Sequence, residues 1–319
     1  MDILIVKLGA LGDAINTLPL VISLKTHLKA RIDWLIEPLS YPLISDHPYV
    51  DRVILFDKYK WPKALLDTSQ HLGSKKYDMT LDLQRILKSG FFSMLAKSDR
   101  RIGFDRKRCK EMTWMLPFER IPESDPKAHM VYQYLEFADY IGIPNIDVRW
   151  ELPISEMRPD GLPEKYIVLN IGATKPVNRW TPEGFSSLAH AIYRKYHLPC
   201  IITGGPEDHT MAKNIMSLSD DEVLNFVGKT SLKELQTILF NARVVFSCDT
   251  GPMHLAVALG KDVVALFGPS DPRRTGNLRG EVVLKPLHCS PCNLRTCKDP
   301  VCMTSITHEE VLERIENIL

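Results

Sequence analysis

Asp249, Thr250, Gly251 and His254 bring a carboxylate, a hydroxyl, a bare backbone and an imidazole together within one short stretch, SCDTGPMHLAVALGKDVVALFGPSDP, from Ser247 to Pro272. The stretch follows the apolar run Val244-Val245-Phe246, which reads as a buried strand. Met253 to Leu259 carries a short apolar helix pattern, Gly260 is placed to end it, and Val263 to Phe267 reads as the next strand. Pro252 suits the start of that helix, where unpaired backbone N–H groups attract anions. The chemistry on offer is a pocket for a phosphate or diphosphate. A plainer alternative stands beside it: Asp-Thr-Gly as a capped helix start and His254 as a satisfied residue of its first turn. A second polar turn, Gly268 to Pro272, follows the next strand, and two such turns at neighbouring strand ends favour a ligand site.

Asp13 is the other residue suited to chemistry. It follows the apolar strand Ile3 to Leu8 and the tight turn Gly9-Ala10-Leu11-Gly12, and a helical pattern runs from Ala14 to Leu28 with Pro19 inside it. It is either an N-cap or a general base held at a strand end. Only Gly9 and Gly12 are present, so the three-glycine dinucleotide fingerprint is incomplete and a nicotinamide enzyme is not indicated.

Strand and helix patterns alternate through the positions that hold these groups. Ile32 to Ile36, Val53 to Phe56 and Met79 to Leu83 read as strands in the first half. Tyr166 to Asn170, Cys200 to Thr203 and Val223 to Val227 do so in the second. Each second-half strand runs into a polar turn: residues 171 to 180, Gly204 to Asp208, and Gly228 to Ser231. Thr181-Pro182-Glu183 reads as a capped helix start. Thr307 with Glu310 reads as a capping box on a last helix. Gln84 and Lys88, four apart, would share a helix face, either lining a site or as plain solvated surface. Asp99 to Lys110 is the most basic run, with Arg106 and Arg108 the residues singled out, again as a binding patch or as solvated charge. The proline-rich segment 142 to 163 reads as a linker, dividing the chain into domains 1–150 and 151–305 with a tail helix at 306–319.

Several of these segments resemble glycosyltransferase family 9, the bacterial heptosyltransferases of lipopolysaccharide assembly. DTGPMHLAVALGKDVVALFGPSDP is similar to the family's carboxyl-terminal signature, KLGALGDAINTLP to its opening motif, and LDLQRILKS and RRIGFDRKRCKE to segments on its acceptor side. The resemblance implies an α/β fold of GT-B type, with two doubly wound parallel-sheet, Rossmann-like domains facing across a cleft. It implies an inverting transferase moving heptose from ADP-heptose to a Kdo or heptose acceptor on lipid A. Asp13 would be the catalytic base. Thr174, Arg179, Glu207, Asp208, Lys229, Thr230, Asp249, Thr250, Gly251 and His254 would hold the donor. Lys7, Gly12, Gln84, Lys88, Arg106 and Arg108 would hold the acceptor. Many members carry lysine where this chain has Asn178, so Arg179 or Lys175 would have to supply the cation for the diphosphate. Another nucleotide sugar, or sugar-nucleotide epimerisation on the same fold, are the alternative readings. The tail helix would cross back to the first domain by analogy with other two-lobed transferases.

Composition narrows the partners. The 319 residues are 45% apolar and 25% charged with a formal charge of +1, which gives no nucleic-acid signature. No apolar run nears the roughly 18 residues of a membrane span. The amino terminus lacks a basic leader and runs straight into a strand, so a signal peptide is not expected. The location that follows is cytoplasmic, peripheral at the inner membrane. No cofactor is called for, and no carboxylate cluster demands a metal. Seven cysteines argue against a disulfide framework. Four of them, Cys289, Cys292, Cys297 and Cys302, are close enough in sequence for zinc or an iron–sulfur cluster, for packed thiols or for a redox role.

Overall fold

The computed structural model describes residues 1–319 except 145, 221 and 222; residue 145 belongs to the expected linker and lies outside the described residues. The chain forms two compact units, Met1–Pro153 and Ile154–Leu319.

The first unit runs β1 (Asp2–Val6), α1 (Leu11–Leu28), β2 (Arg31–Ile36), α2 (Tyr41–Ile44), β3 (Arg52–Leu55), α3 (Lys63–Ser74), β4 (Lys76–Asp82), α4 (Leu87–Leu95), β5 (Lys97–Gly103), β6 (Glu119–Arg120) and α5 (Met130–Tyr140). Its sheet is parallel with order β3-β2-β1-β4-β5-β6. The central strand β1 reads Ile3-Leu4-Ile5-Val6 and is buried throughout, as a parallel strand covered on both faces must be. Successive connections run outward from β1 to one edge and from β4 to the other. The order therefore reverses between β1 and β4, and that is where a doubly wound sheet opens a crevice beyond its strand ends. Val6 pairs with Asp82 in the β1–β4 register, which brings Asp82 level with the end of β1.

The second unit repeats the plan. It runs β7 (Ile167–Asn170), α6 (Pro182–Tyr196), β8 (Cys200–Thr203), α7 (His209–Ser217), β9 (Val223–Asn225), α8 (Leu232–Asn241), β10 (Val245–Cys248) and α9 (Gly251–Ala258). It continues with β11 (Val263–Phe267), α10 (Pro272–Thr275), β12 (Gly280–Leu284), α11 (Val301–Thr304) and α12 (His308–Glu316). Its parallel order is β12-β11-β10-β7-β8-β9, with the reversal between β7 and β10. The rings of Trp180, Phe185 and Phe246 pack edge-on in its core, 5.2 to 5.7 Å between centroids.

Local signals hold at the helix ends. Thr181 accepts from the Gly184 amide at 3.0 Å, and Thr307 and Glu310 form the expected capping box. Gly142 and Gly260 end α5 and α9 with φ of 86° and 77°, a conformation glycine adopts without a Cβ clash. In the last helix, α12, Val311 and Ile315 are buried in the second unit's core. Gln84 and Lys88 depart from expectation. Gln84 lies in the turn before α4, so the two do not share a helix face. Asp82 accepts the Gln84 and Arg85 amides at 3.1 and 3.2 Å and fixes that turn instead.

Candidate active site

Each unit gathers polar side chains at its reversal point. In the first, Lys7 directly follows β1 and Asp13 is the third residue of α1. Asp13 is not the cap: that position is Ala10, whose side chain caps nothing. The Lys7 ammonium donates to Asp13 Oδ2 at 3.0 Å, and the Tyr134 hydroxyl, from α5, donates to Oδ1 at 3.3 Å. Both carboxylate oxygens are thus oriented, while 37% of the side chain stays open to solvent. The Thr17 hydroxyl donates to the Asp13 carbonyl at 2.8 Å and the Trp34 indole N–H to the Lys7 carbonyl at 3.0 Å, so both backbones are fixed as well. Lys7 is buried, and burial pulls its ammonium below the usual lysine range against the pull of Asp13. Its ring-face contact with Tyr134, 5.3 Å from ammonium to centroid, partly replaces lost water.

Asp82 closes the other side of this crevice. Beyond the two amides it accepts the Ser89 and Ser93 hydroxyls at 2.8 and 3.2 Å. Burial raises its carboxyl despite these donors. Arg85, beside it, adopts φ of 67° and lays its guanidinium 4.7 Å from the Phe104 ring centre. The sequence reading missed Asp82, Arg85 and Tyr134. The signal for Asp82 was present: a carboxylate ending the apolar run Met79 to Leu83, with serines seven and eleven residues on.

The predicted acceptor residues separate into two groups. Lys7 and Gly12 sit at the crevice beside Asp13. Lys88 is half-exposed, its ammonium 2.5 Å from Glu37, and Gln84 is partly exposed in its turn. Arg106 is exposed and stacks 4.3 Å from the Trp114 ring centre. Arg108 is a correction: it is buried, ion-paired to Asp105 and to Glu136 at 2.6 Å, and donates to the Pro122 carbonyl. The basic run also differs from a solvated patch at its start. Arg100 pairs with Glu119 across β5 and β6, and Arg101 donates to the carbonyls of Ser93, Ala96 and Ser98. Strand β5 was hidden because its alternation carries charges rather than apolar residues.

In the second unit the reversal is bridged by uncharged groups. The Asn170 side-chain amide, at the end of β7, donates to Ser247 at 2.9 Å and Thr250 at 3.1 Å, and the Thr203 hydroxyl donates to Asn170 Oδ1 at 3.4 Å. The Thr250 hydroxyl is therefore tied to the sheet and does not cap α9. Gly251 and Pro252 open that helix, and His254 is buried in its first turn. Asn178 donates to Ser270 at 3.0 Å and lies 3.5 Å from Asp249. Burial raises the Asp249 carboxyl; Ser270, Lys175 and Thr275 pull the other way.

The predicted donor residues differ in what holds them. Asp208 is buried, accepts the Gly205 amide at 3.0 Å and pairs with Arg179 at 2.6 Å. These contacts fix the turn, and Arg179 is engaged by Asp208. Lys229 turns back onto the Asn225 carbonyl at 2.8 Å. Thr174 and Glu207 are exposed, and Thr230 is partly so. The Lys175 ammonium donates to the Asn293 carbonyl at 3.3 Å, close enough to act on Asp249.

The four clustered cysteines lie near one another: burial raises the Cys302 thiol, and Cys292, Cys289 and Cys297 push it the same way. Cys289, Cys292 and Cys297 are exposed, Cys302 is buried with its sulfur against Gly268, and all are free thiols. Among the described residues no group of three or more His, Cys, Asp or Glu is arranged to hold a metal. Among those residues, too, no helix is long and apolar enough to cross a membrane.

Comparison with known proteins adds ancestry to this geometry. A family profile described as glycosyltransferase family 9 (heptosyltransferase) matches residues 65–302. The lipopolysaccharide core heptosyltransferase OpsX of Haemophilus influenzae is 27% identical over 85% of this chain and 80% of its own length. The lipopolysaccharide heptosyltransferase 1 of Pseudomonas aeruginosa is 25% identical over 100% of this chain and 98% of its own. Among solved structures, the Escherichia coli heptosyltransferase WaaC with ADP-2-deoxy-2-fluoro heptose superposes with a TM-score of 0.78 at 24% identity, over 99% of both chains. That likeness concerns the fold, which is of the GT-B type expected from the sequence.

Proposed function

Because the chain belongs to glycosyltransferase family 9, we propose that this glycosyltransferase moves heptose from ADP-heptose to a Kdo or heptose acceptor of the lipopolysaccharide inner core, with inversion. The observation that carries the reading is Asp13, a carboxylate open to solvent whose two oxygens are each aimed by a side chain, Lys7 and Tyr134. A general base must be both reachable and oriented. Asp13 takes the proton of the acceptor hydroxyl as that oxygen attacks the anomeric carbon. The bond from that carbon to the ADP oxygen breaks, and the diphosphate leaves with the bonding pair.

The second unit holds the donor. The Asn170–Ser247–Thr250 network fixes the start of α9, whose unpaired amides face the growing negative charge of the diphosphate. Lys175 supplies the cation that Asn178 does not, since Arg179 is paired to Asp208. Asp249 accepts hydroxyls of the donor sugar. No cofactor takes part in this scheme. The lipid-linked acceptor would be met by a protein working at the cytoplasmic face of the inner membrane.

The test is a transfer assay with ADP-heptose and a Kdo-bearing lipid A, run beside other nucleotide sugars. Transfer from ADP-heptose, with a β-to-α or α-to-β change at the anomeric carbon, is the expected result. Transfer only from a uridine, guanosine or cytidine donor would overturn the heptose assignment and leave the site.

A further inference from the structure

Helix α4 is built inside out. Its buried face carries Ser89, Phe92 and Ser93, and the two serines face Asp82. Its outward face is apolar: Leu87 is 54% exposed, Phe91 49% and Met94 41%. A surface helix normally shows the reverse. Packing accounts for part of this face, since Phe91 meets Phe92 edge-on at 5.5 Å between ring centroids, and leaves much of it open.

Two neighbouring turns extend that face. Glu37 pairs with both Lys58 and Lys88, which ties the 58–62 turn to the start of α4. Glu111 accepts the Leu87 amide at 2.9 Å, which ties the 111–115 turn to the same point. These turns carry Tyr59, Trp61 and Met115, exposed at 85%, 63% and 63%. Cations stand among them. Lys60, Lys107 and Lys110 are exposed, Lys60 and Lys107 in surface ion pairs with Asp57 and Glu123 that lipid phosphates can replace, and Arg106 lies on the Trp114 ring.

We propose that this face of the first unit docks on an anionic lipid bilayer, with α4 and the two turns entering the headgroup layer. Separate aromatic and aliphatic side chains interleaved with lysines suit an interface where rings sit at headgroup depth and ammonium groups meet lipid phosphates. A second protein would require a continuous desolvated patch low in lysine. The inference deepens the reading of a lipid-linked acceptor, since that substrate is met at a membrane, but its test involves no sugar transfer.

The full chain is sedimented with sucrose-loaded vesicles of phosphatidylethanolamine and phosphatidylglycerol, free of lipopolysaccharide. The wild type is expected to partition onto them and to release as salt rises, and to ignore phosphatidylcholine vesicles. Trp61→Ser with Phe91→Ser, and separately Lys60→Glu with Lys107→Glu, are each expected to lower partitioning by about tenfold or more. Unchanged circular dichroism and unchanged stabilisation by ADP show that the variants fold. Absence of wild-type partitioning, or equal partitioning of both variants, would overturn the proposal. So would a loss of self-association in the Trp61 and Phe91 variant by sedimentation velocity, which would assign the face to a second copy of the chain. Heptose transfer to a detergent-dispersed acceptor without vesicle binding removes this surface alone. Vesicle binding without heptose transfer removes the functional reading alone.

Discussion

The two reversal points of this chain share a topology and differ in chemistry. Between β1 and β4 the residues are ionisable and partnered: Lys7 with Asp13, and Asp82 ringed by donors. Between β7 and β10 the bridging groups are an amide and hydroxyls: Asn170, Thr203, Ser247 and Thr250. A charged pair aims one carboxylate and leaves it accessible. A neutral network fixes a stretch of backbone. On the function proposed above, the same sheet architecture would support proton transfer in one unit and anion binding in the other.

The sharpest break of this contrast is Asp13→Ala. Turnover should fall about 100- to 10,000-fold, the usual contribution of a positioned base. ADP affinity by calorimetry should stay at the wild-type value, because the proposed nucleotide site belongs to the other unit. Equal loss of ADP binding would erase the division of labour.

Asn170→Ala attacks the neutral network. It removes the donor shared by Ser247 and Thr250 and leaves buried hydroxyls with one partner fewer, which costs about 1–3 kcal/mol. Urea denaturation should show that loss, and ADP should bind more weakly as the start of α9 loosens. Unchanged ADP affinity would mean the network serves stability alone.

The smallest effect is expected at Arg179→Ala. Burial raises the Asp208 carboxyl above its ordinary value of 3.8 even with Arg179 beside it. The folded protein therefore holds this proton more tightly than the unfolded chain. The resulting stability is fully present below 3.8 and is lost as pH rises through the raised folded value. Removing the arginine raises that value further, so the variant should be less stable by about 1 kcal/mol at neutral pH, the pair being partly exposed. The gap should close as pH falls toward the carboxyl range. A gap that stays constant with pH would show that Arg179 acts by packing and not by charge.

Local sequence was enough for the alternation of strands and helices, the capped starts at Thr181 and Thr307, and the polar turns after each strand. These depend on apolar periodicity and on side chains that reach their own backbone. The placing of Asp13 after a strand end and the Asp249 to His254 motif were legible for the same reason. Which polar side chain serves the fold was not legible. Arg108 and Asp208 looked available and are buried in ion pairs, because Glu136 and Arg179 approach from other stretches of the chain. Strand β5 was concealed by charges that find partners on β6 and on backbone carbonyls. Tyr134 reaches Asp13 only because α5 packs on α1, across 121 residues of sequence. Burial and ion pairing are properties of assembled neighbours, and they come into being when distant segments pack together.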